Sequence, residues 1–166
     1  MFTVVNAVER KRTFGDRRLV LIDIENIIGG AAMTKGRAQW GRQMIESLTG
    51  ISPDEQVIIG SCREGFINVK TVWESARVVV RSGTDAADLA LIDVMDNEDL
   101  ASRYSEILLI SGDHIFTDSV RALAGGGTPV TIASWRSGLS AQLVVAATNI
   151  IVLDDVLSNT TYVKAA

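Results

Sequence analysis

The chain places acidic residues at three points where apolar runs end. "LVLIDIEN" delivers Asp23, Glu25 and Asn26 behind a stretch of aliphatic residues, "RSGTDAAD" carries Asp85 and Asp88 three positions apart behind another, and "ISGDH" closes a third with Asp113. Carboxylates brought close together repel, and part of the set takes up protons unless a cation neutralises it. An all-oxygen donor set without a suitable histidine or cysteine suits Mg²⁺ or Mn²⁺ better than zinc. A metal held in this way activates water for attack on phosphorus, so phosphodiester hydrolysis is the chemistry these residues support.

The runs that must position these groups are short, β-branched and apolar on both faces, which is how strands read when helices cover a parallel sheet on each side. Strands are expected near 19–24, 56–60, 76–80, 107–110, 129–132 and 150–153, with helices near 37–48, 66–74, 86–104, 117–124 and 139–147. This alternation gives an α/β fold: a three-layer parallel sheet of about five to six strands with helices on both faces. In open parallel sheets ligands bind beyond the carboxyl ends of the strands, at the crevice where the strand order reverses. All three acidic clusters would lie on that edge. Period-two alternation sets Asp23 and Glu25 on one face of the first strand, while Asn26 lies past its end and can turn back. Asp23 and Asn26 are therefore expected in the site, and Glu25 is the least expected of the three. Asp85 and Asp88 fall on one side of the first turn of a helix. Asp85 is open to two readings, helix N-cap or site residue, whereas capping explains Asp88 less well because it lies inside the helix.

A length of 166 residues fits one domain with a full-sized core. Apolar residues at 47% and charged residues at 22% match a globular chain rather than a disordered one. No apolar run approaches the roughly 18 residues of a membrane span, and the charged start of the chain lacks the apolar centre of a signal peptide. No membrane partner and a cytoplasmic location are expected. The net charge of −4 argues against a protein that coats nucleic acid through a general positive field. The local patch "ERKRTFGDRR" marks residues 1–18 as a basic N-terminal arm, read as a solvated segment rather than a phosphate-binding one. Cys62 is the single cysteine, so neither an intrachain disulfide nor a thiolate zinc cluster can form, and it reads as a small buried apolar residue. Gly125 to Gly127 follow a helix and precede a strand, where a glycine can end the helix in a left-handed turn; the GxxxxGK[ST] phosphate loop is absent.

Taken in order, these segments resemble the NYN domain family, the PIN-like nuclease domains of bacterial LabA-like proteins and of eukaryotic meiosis-arrest regulators of RNA. "LIDIENI" resembles the family's first-strand motif, "GTDAADLALIDVM" its acidic helix start and "ILLISGDHIF" its strand ending in Ser-Gly-Asp. "GGTPVTIA" and "SAQLVVAATNIIVLDD" are similar to the strand and the helix–strand pair that follow. The resemblance covers residues 19–156, the expected nuclease domain, and leaves 157–166 as a C-terminal tail. It implies a PIN-like (Rossmann-like) sheet and a Mg²⁺- or Mn²⁺-dependent endoribonuclease acting on single-stranded or structured RNA, alone, as a homodimer or within a larger host protein. By position Asp23, Asp88 and Asp113 match the metal-binding carboxylates, and Asn26 the residue that follows the first Asp; Asp85 has no equally firm counterpart. After Ser-Gly-Asp many relatives carry a further Asp or Asn where this chain has Ile115, which places the second metal or full activity in question. Asp118 is one helical turn further and reads as an exposed helical residue. His114 is read as a loop or supporting residue rather than a general base, and Ser111 as a residue that shapes the turn.

An acidic site that holds an acidic polymer needs cations around it. Lys35, Arg37, Arg63, Arg81 and the pair Trp135–Arg136 all follow predicted strands, so they are expected to ring the site and grip RNA, with Trp135 as a stacking platform. Two competing readings are a non-catalytic domain of the same kind that binds RNA or protein, and a phosphatase of another α/β family. Phosphoaspartate sites, however, require a second Asp two positions after the first, where Glu25 stands.

Overall fold

The computed structural model describes residues 16–163, with side chains up to 159. Six strands form one sheet: β1 (Arg18–Asp23), β2 (Gln56–Ser61), β3 (Arg77–Val80), β4 (Glu106–Ile110), β5 (Val130–Ser134) and β6 (Asn149–Val152). All neighbours are parallel, and the order is β3-β2-β1-β4-β5-β6. The expected three-layer α/β architecture is therefore observed, with six strands. The chain runs outward from β1 to β3, then returns to the centre at β4 and continues to β6. This reversal puts the crevice of a doubly wound sheet between the carboxyl ends of β1 and β4.

Each central strand divides its side chains between two apolar layers, which is why its sequence reads as a continuous apolar run. Val20 and Ile22 of β1 pack with Leu108 and Ile110 of β4 on one face, beneath α1 (Ile24–Ile28), α2 (Lys35–Thr49), α3 (Phe66–Val72) and α8 (Leu153–Val163). Leu19 and Leu21 pack with Ile107 and Leu109 on the other, beneath α4 (Ala86–Asn97), α5 (Leu100–Arg103), α6 (Thr117–Gly125) and α7 (Ala141–Ala146). Full burial of each such side chain contributes about 1.5–3 kcal/mol. The central strands β1 and β4 are thus the most deeply buried part of the sheet, and Asp23 and Asp113 stand at and just past their ends.

Several expected boundaries move, each for a local reason. The helix expected over 86–104 breaks after Asn97, because Asp99 adopts a left-handed conformation (φ 48°) and the chain restarts as α5. Aspartate tolerates this region better than most residues. The helix expected from 139 begins only at Ala141, since Arg136–Gly138 forms a short 3-10 turn and the Ser140 N–H is taken by the Gly112 carbonyl at 2.9 Å. Gly127 takes the left-handed turn (φ 94°) after α6, as its position suggested. The boundary drawn at residue 18 falls inside β1, and that at 157 falls inside α8. Arg18 belongs to the fold: its guanidinium meets the Glu55 carboxylate at 2.5 and 3.0 Å, and that carboxylate is fully buried. The remainder of the basic arm, residues 1–15, lies outside the described residues. No helix among the described residues is long and apolar enough to cross a membrane.

One close approach connects fold to site. A methyl group added at Gly60 in β2 would stand 2.7 Å from the Ala87 carbonyl oxygen and 2.8 Å from the Leu91 side chain, so only glycine allows α4 to lie this close to the sheet. Asp88 follows Ala87 directly. Gly60→Ala is expected to destabilise the protein by about 1–3 kcal/mol, the usual scale of overpacking, as read from urea melts.

Candidate active site

A cavity of about 200 Å³ opens at the carboxyl edge of the sheet, lined by Asp23, Glu25, Asn26, Cys62, Gly83, Asp85, Ala86, Ala87, Asp88 and Asp113. All five residues expected to carry chemistry, Asp23, Asn26, Asp85, Asp88 and Asp113, line this one cavity. None of the expected RNA-binding residues does.

Asp23 ends β1 and is 2% exposed. The chain turns into α1 at once, and the Asp23 carboxylate caps that helix by accepting the Asn26 N–H at 3.4 Å through Oδ1. Its other oxygen accepts the Ser111 hydroxyl at 2.8 Å. Ser111 is fully buried after β4, and its Oγ in turn accepts the Asp113 N–H at 3.2 Å. Asn26 Oδ1 accepts the Gly112 N–H at 3.1 Å. Two independent bridges therefore fasten the β1 exit to the β4 exit. Gly112 has no room for a side chain, because a Cβ would collide with the Gly138 carbonyl and the Ser134 hydroxyl. The turn bearing Asp113 is thus clamped between α1 and the loop after β5. Asp113 accepts the Ile115 N–H at 2.9 Å and stays half-buried with its carboxylate facing the cavity.

Asp85 occupies the N-cap position of α4, in a left-handed conformation (φ 54°), but its side chain accepts no cap hydrogen bond. Of its two readings, the position is that of a cap while the carboxylate lines the cavity. Asp88, one turn on, lies within hydrogen-bonding reach of Asp23.

The electrostatics follow from this crowding. Burial holds the Asp23 carboxyl well above the usual carboxylate range, reinforced by the negative charge of Asp88 and opposed by the hydrogen bonds from Ser111 and Asn26. Asp88 is raised as well, first by burial and then by the charges of Asp113, Asp85 and Glu25, against the hydrogen bond it shares with Asp23. Burial and hydrogen bonding to Glu25 push the Cys62 thiol up to about 11, so it is protonated and not nucleophilic at neutral pH.

Three expectations require correction. Glu25, thought least relevant, lines the cavity and accepts the Cys62 N–H at 2.7 Å, tying α1 to the β2 exit. Alternation sets Glu25 on the face of Asp23, but β1 stops at Asp23 and Glu25 reaches the cavity as a residue of α1. Cys62 is half-buried in the cavity wall rather than in the apolar core. Trp135 is not a free stacking platform: its indole N–H donates to the Ile27 carbonyl at 2.9 Å and its ring packs on the core beneath α1. Two of the six residues expected to ring the site are likewise committed elsewhere. Arg37 donates to the Ile28 and Gly29 carbonyls at 2.5 and 3.2 Å, and Arg136 pairs with Asp155 at 2.5 Å. Lys35, Arg63 and Arg81 are exposed outside the cavity. His114 is exposed with Nδ1 3.1 Å from Asp113 Oδ1, Asp118 pairs with Arg121 at 2.8 Å on the α6 surface, and Ile115 packs into the apolar layer. Ser111 shapes the turn as expected, accepting the Asp113 N–H, and in addition donates to Asp23. Its signal was its place between the end of a buried strand and Asp113.

Because Asp23 and Asp88 hold protons more tightly in the folded state than in the unfolded one, their contribution favours the fold in acid. It is lost as pH rises through their raised folded-state values. Asp23→Asn keeps the shape and removes this conflict. In metal-free buffer at neutral pH it is expected to raise stability by about 1 kcal/mol and to flatten the pH dependence of the thermal midpoint, the usual sign of a site built at the expense of stability.

No family model and no curated protein matches the chain. Among solved structures, the crystal structure of a protein of unknown function from Vibrio parahaemolyticus is similar over 84% of this chain and 94% of its own, with a TM-score of 0.55 at 15% identity. A likeness at that identity carries the layered α/β architecture and nothing about the site.

Proposed function

We propose that the protein is a metal-dependent endoribonuclease that hydrolyses phosphodiester bonds of single-stranded RNA. The observation that carries this reading is the cavity itself. Four aspartates and a glutamate from three strand exits line it, and burial plus mutual repulsion raise two of them, Asp23 and Asp88, above their ordinary range. Such a site is short of positive charge. In many doubly wound sheets the same crevice takes a dinucleotide, whose pyrophosphate rests on glycine-rich backbone. Here the first strand ends instead in a buried carboxylate, which would repel that group.

Among the described residues no three carboxylate, histidine or cysteine groups converge as a finished metal cage. The donor chemistry nevertheless fits Mg²⁺ or Mn²⁺, since the groups available are carboxylate and amide oxygens. Asp23, Asp88 and Asp113 are the residues that would hold the ion, with Asn26 and Asp85 beside them. When bound, the metal would activate water and stabilise charge on the phosphoryl oxygens. The chain's own part is placement. Ser111 and Asn26 orient Asp23 and fix the turn that bears Asp113, the close approach at Gly60 sets Asp88, and Glu25 holds the β2 exit against α1. Resemblance to the NYN domain family supports the choice of RNA as substrate.

One feature favours a second reading. Ile115, at the position where many members of that family carry a further Asp or Asn, is packed against the apolar layer and has no donor to offer. A domain of the same kind that binds RNA or protein without cutting is consistent with this.

Purified protein with Mn²⁺ is expected to cleave labelled single-stranded RNA, to stop when EDTA is added and to resume when Mn²⁺ is restored. Asp88→Asn and Asp113→Asn are each expected to lose at least about 100-fold in rate, since even outer partners of metal ligands are worth 10–100-fold. If wild type and variants alike leave RNA intact, the non-catalytic reading replaces this one. Turnover confined to a small phosphomonoester would point to a phosphatase.

A further inference from the structure

With Trp135 and Arg136 engaged elsewhere, a substrate strand needs another support, and the β2 side of the cavity offers one. Cys62 lines the cavity, and the next residue, Arg63, is exposed at its edge. Just beyond, three large apolar side chains face solvent together: Met33 at 62%, Phe66 at 36% and Ile67 at 72% exposure. Met33 lies in the loop between α1 and α2, Phe66 and Ile67 open α3, and the two segments are fastened to one another. The Asn68 side-chain amide donates to the Ala32 carbonyl at 2.8 Å, and a methyl at Gly65 would stand 3.2 Å from the Ala32 nitrogen. Apolar residues placed in solvent on a stiffened junction are costly unless something covers them.

The patch runs on into a second feature. Ile67 and Thr71 lie one helical turn apart on α3, joined by a hydrogen bond from the Thr71 hydroxyl to the Ile67 carbonyl at 2.7 Å. Thr71 lines a groove of about 360 Å³ between α2 and α3, together with Lys35, Gln39, Arg42, Gln43, Glu46 and Val72. Lys35 pairs with no other described residue. Arg42 is held in place by Glu46 at 2.8 Å, by the Val72 carbonyl at 2.6 Å and over the Trp73 ring at 5.6 Å.

We propose that this surface is a track for single-stranded nucleic acid leading out of the carboxylate cavity, with Phe66 as a base-stacking platform and Arg63 and Lys35 as phosphate contacts. The proposal rests on the reading of the cavity as a phosphodiester-cleaving site. Two arguments select a nucleic acid as the occupant. The surface begins at the cavity wall, so a strand that leaves on the β2 side passes over it. Its chemistry matches the parts of a polynucleotide: a cation at Arg63 beside Glu64, apolar faces at Phe66, Ile67 and Met33, then Lys35 with the amide and hydroxyl groups of Gln39, Gln43 and Thr71, where the acid Glu46 is neutralised by Arg42. Aromatic stacking together with cationic backbone contacts is the general means of holding single strands.

The test measures binding and cutting separately. In EDTA, a short fluorescein-labelled oligouridylate is titrated with the full chain and followed by anisotropy. Phe66→Ala is expected to weaken binding roughly 5- to 150-fold, the range for one lost stacking contact, and Phe66→Trp to restore it. The double substitution Lys35→Ala and Arg63→Ala is expected to reduce the log–log salt slope by about 1.4, or 0.7 for each phosphate lost. With Mn²⁺, Phe66→Ala is expected to raise KM for long RNA at unchanged kcat while a dinucleotide, too short to reach the patch, is cut as by wild type. Variants that bind and cut as wild type does overturn the track and leave the nuclease reading standing. Binding that responds as expected without any cleavage supports the track and removes the nuclease reading. Absence of both binding and cleavage overturns the two together. A wild-type dimer in solution that Ile67→Glu turns into a monomer assigns the patch to a second copy of the chain and overturns the track.

Discussion

The molecule depends on one unfavourable arrangement, an aspartate almost wholly buried at the end of its central strand. Water cannot solvate Asp23, so the protein must supply what water would. It does so with the Ser111 hydroxyl on one oxygen and the Asn26 amide N–H on the other, and these donors come from the two chain segments that meet at the crevice between β1 and β4. Satisfying Asp23 therefore also joins those segments. The Asp113 N–H completes the chain through Ser111, and Gly112 is fixed by Asn26. What would be a liability in an ordinary core becomes the joint that sets the geometry of the whole cavity.

The same constraint explains why the sheet must be apolar on both sides. A carboxylate is held in place only if the strand that bears it cannot shift, and β1 has Leu19 to Ile22 buried completely between two layers of helices. Asp88 depends on the sheet in a different way. It reaches the cavity because Gly60 lets α4 approach β2 closely, so the absence of a side chain on one strand determines where a carboxylate on a helix sits.

Much of this was legible in the residues, and what escaped did so for physical reasons. Asp23, Asn26, Asp85, Asp88 and Asp113 stand at the ends of apolar runs, and parallel topology brings such ends to one edge whatever the loops do. Glu25 was undervalued because its position depends on whether the chain continues as strand or turns into helix one residue earlier, which alternation alone cannot decide. The break at Asp99 rests on a left-handed residue that carries no hydrophobic signature. Trp135 and Arg136 were misread for a different reason: their partners, Ile27 and Asp155, are distant in sequence, so only tertiary structure reveals that they are engaged. Strand ends are fixed by topology, whereas the freedom of a loop side chain is fixed by neighbours that pattern does not name.

The surroundings of the cavity consequently differ on its two sides. On the β4 and β5 side, Ser111, Gly112 and Trp135 are held by hydrogen bonds and steric contact, and the exposed Arg136 pairs with Asp155. On the β2 and β3 side, Arg63, Arg81 and Gly83 are exposed, and the main tie is the bond from the Cys62 N–H to Glu25. Such ties hold carboxylates together against mutual repulsion, and with it the charge density that would attract the proposed cation. Exposure is what the proposed passage of a polymer would require. The asymmetry assigns the first task to the half of the sheet that follows the topological reversal and the second to the half that precedes it. On the nuclease reading proposed above, a chain of net charge −4 would meet an anionic substrate without a general positive field, through cations beside the cavity rather than in it.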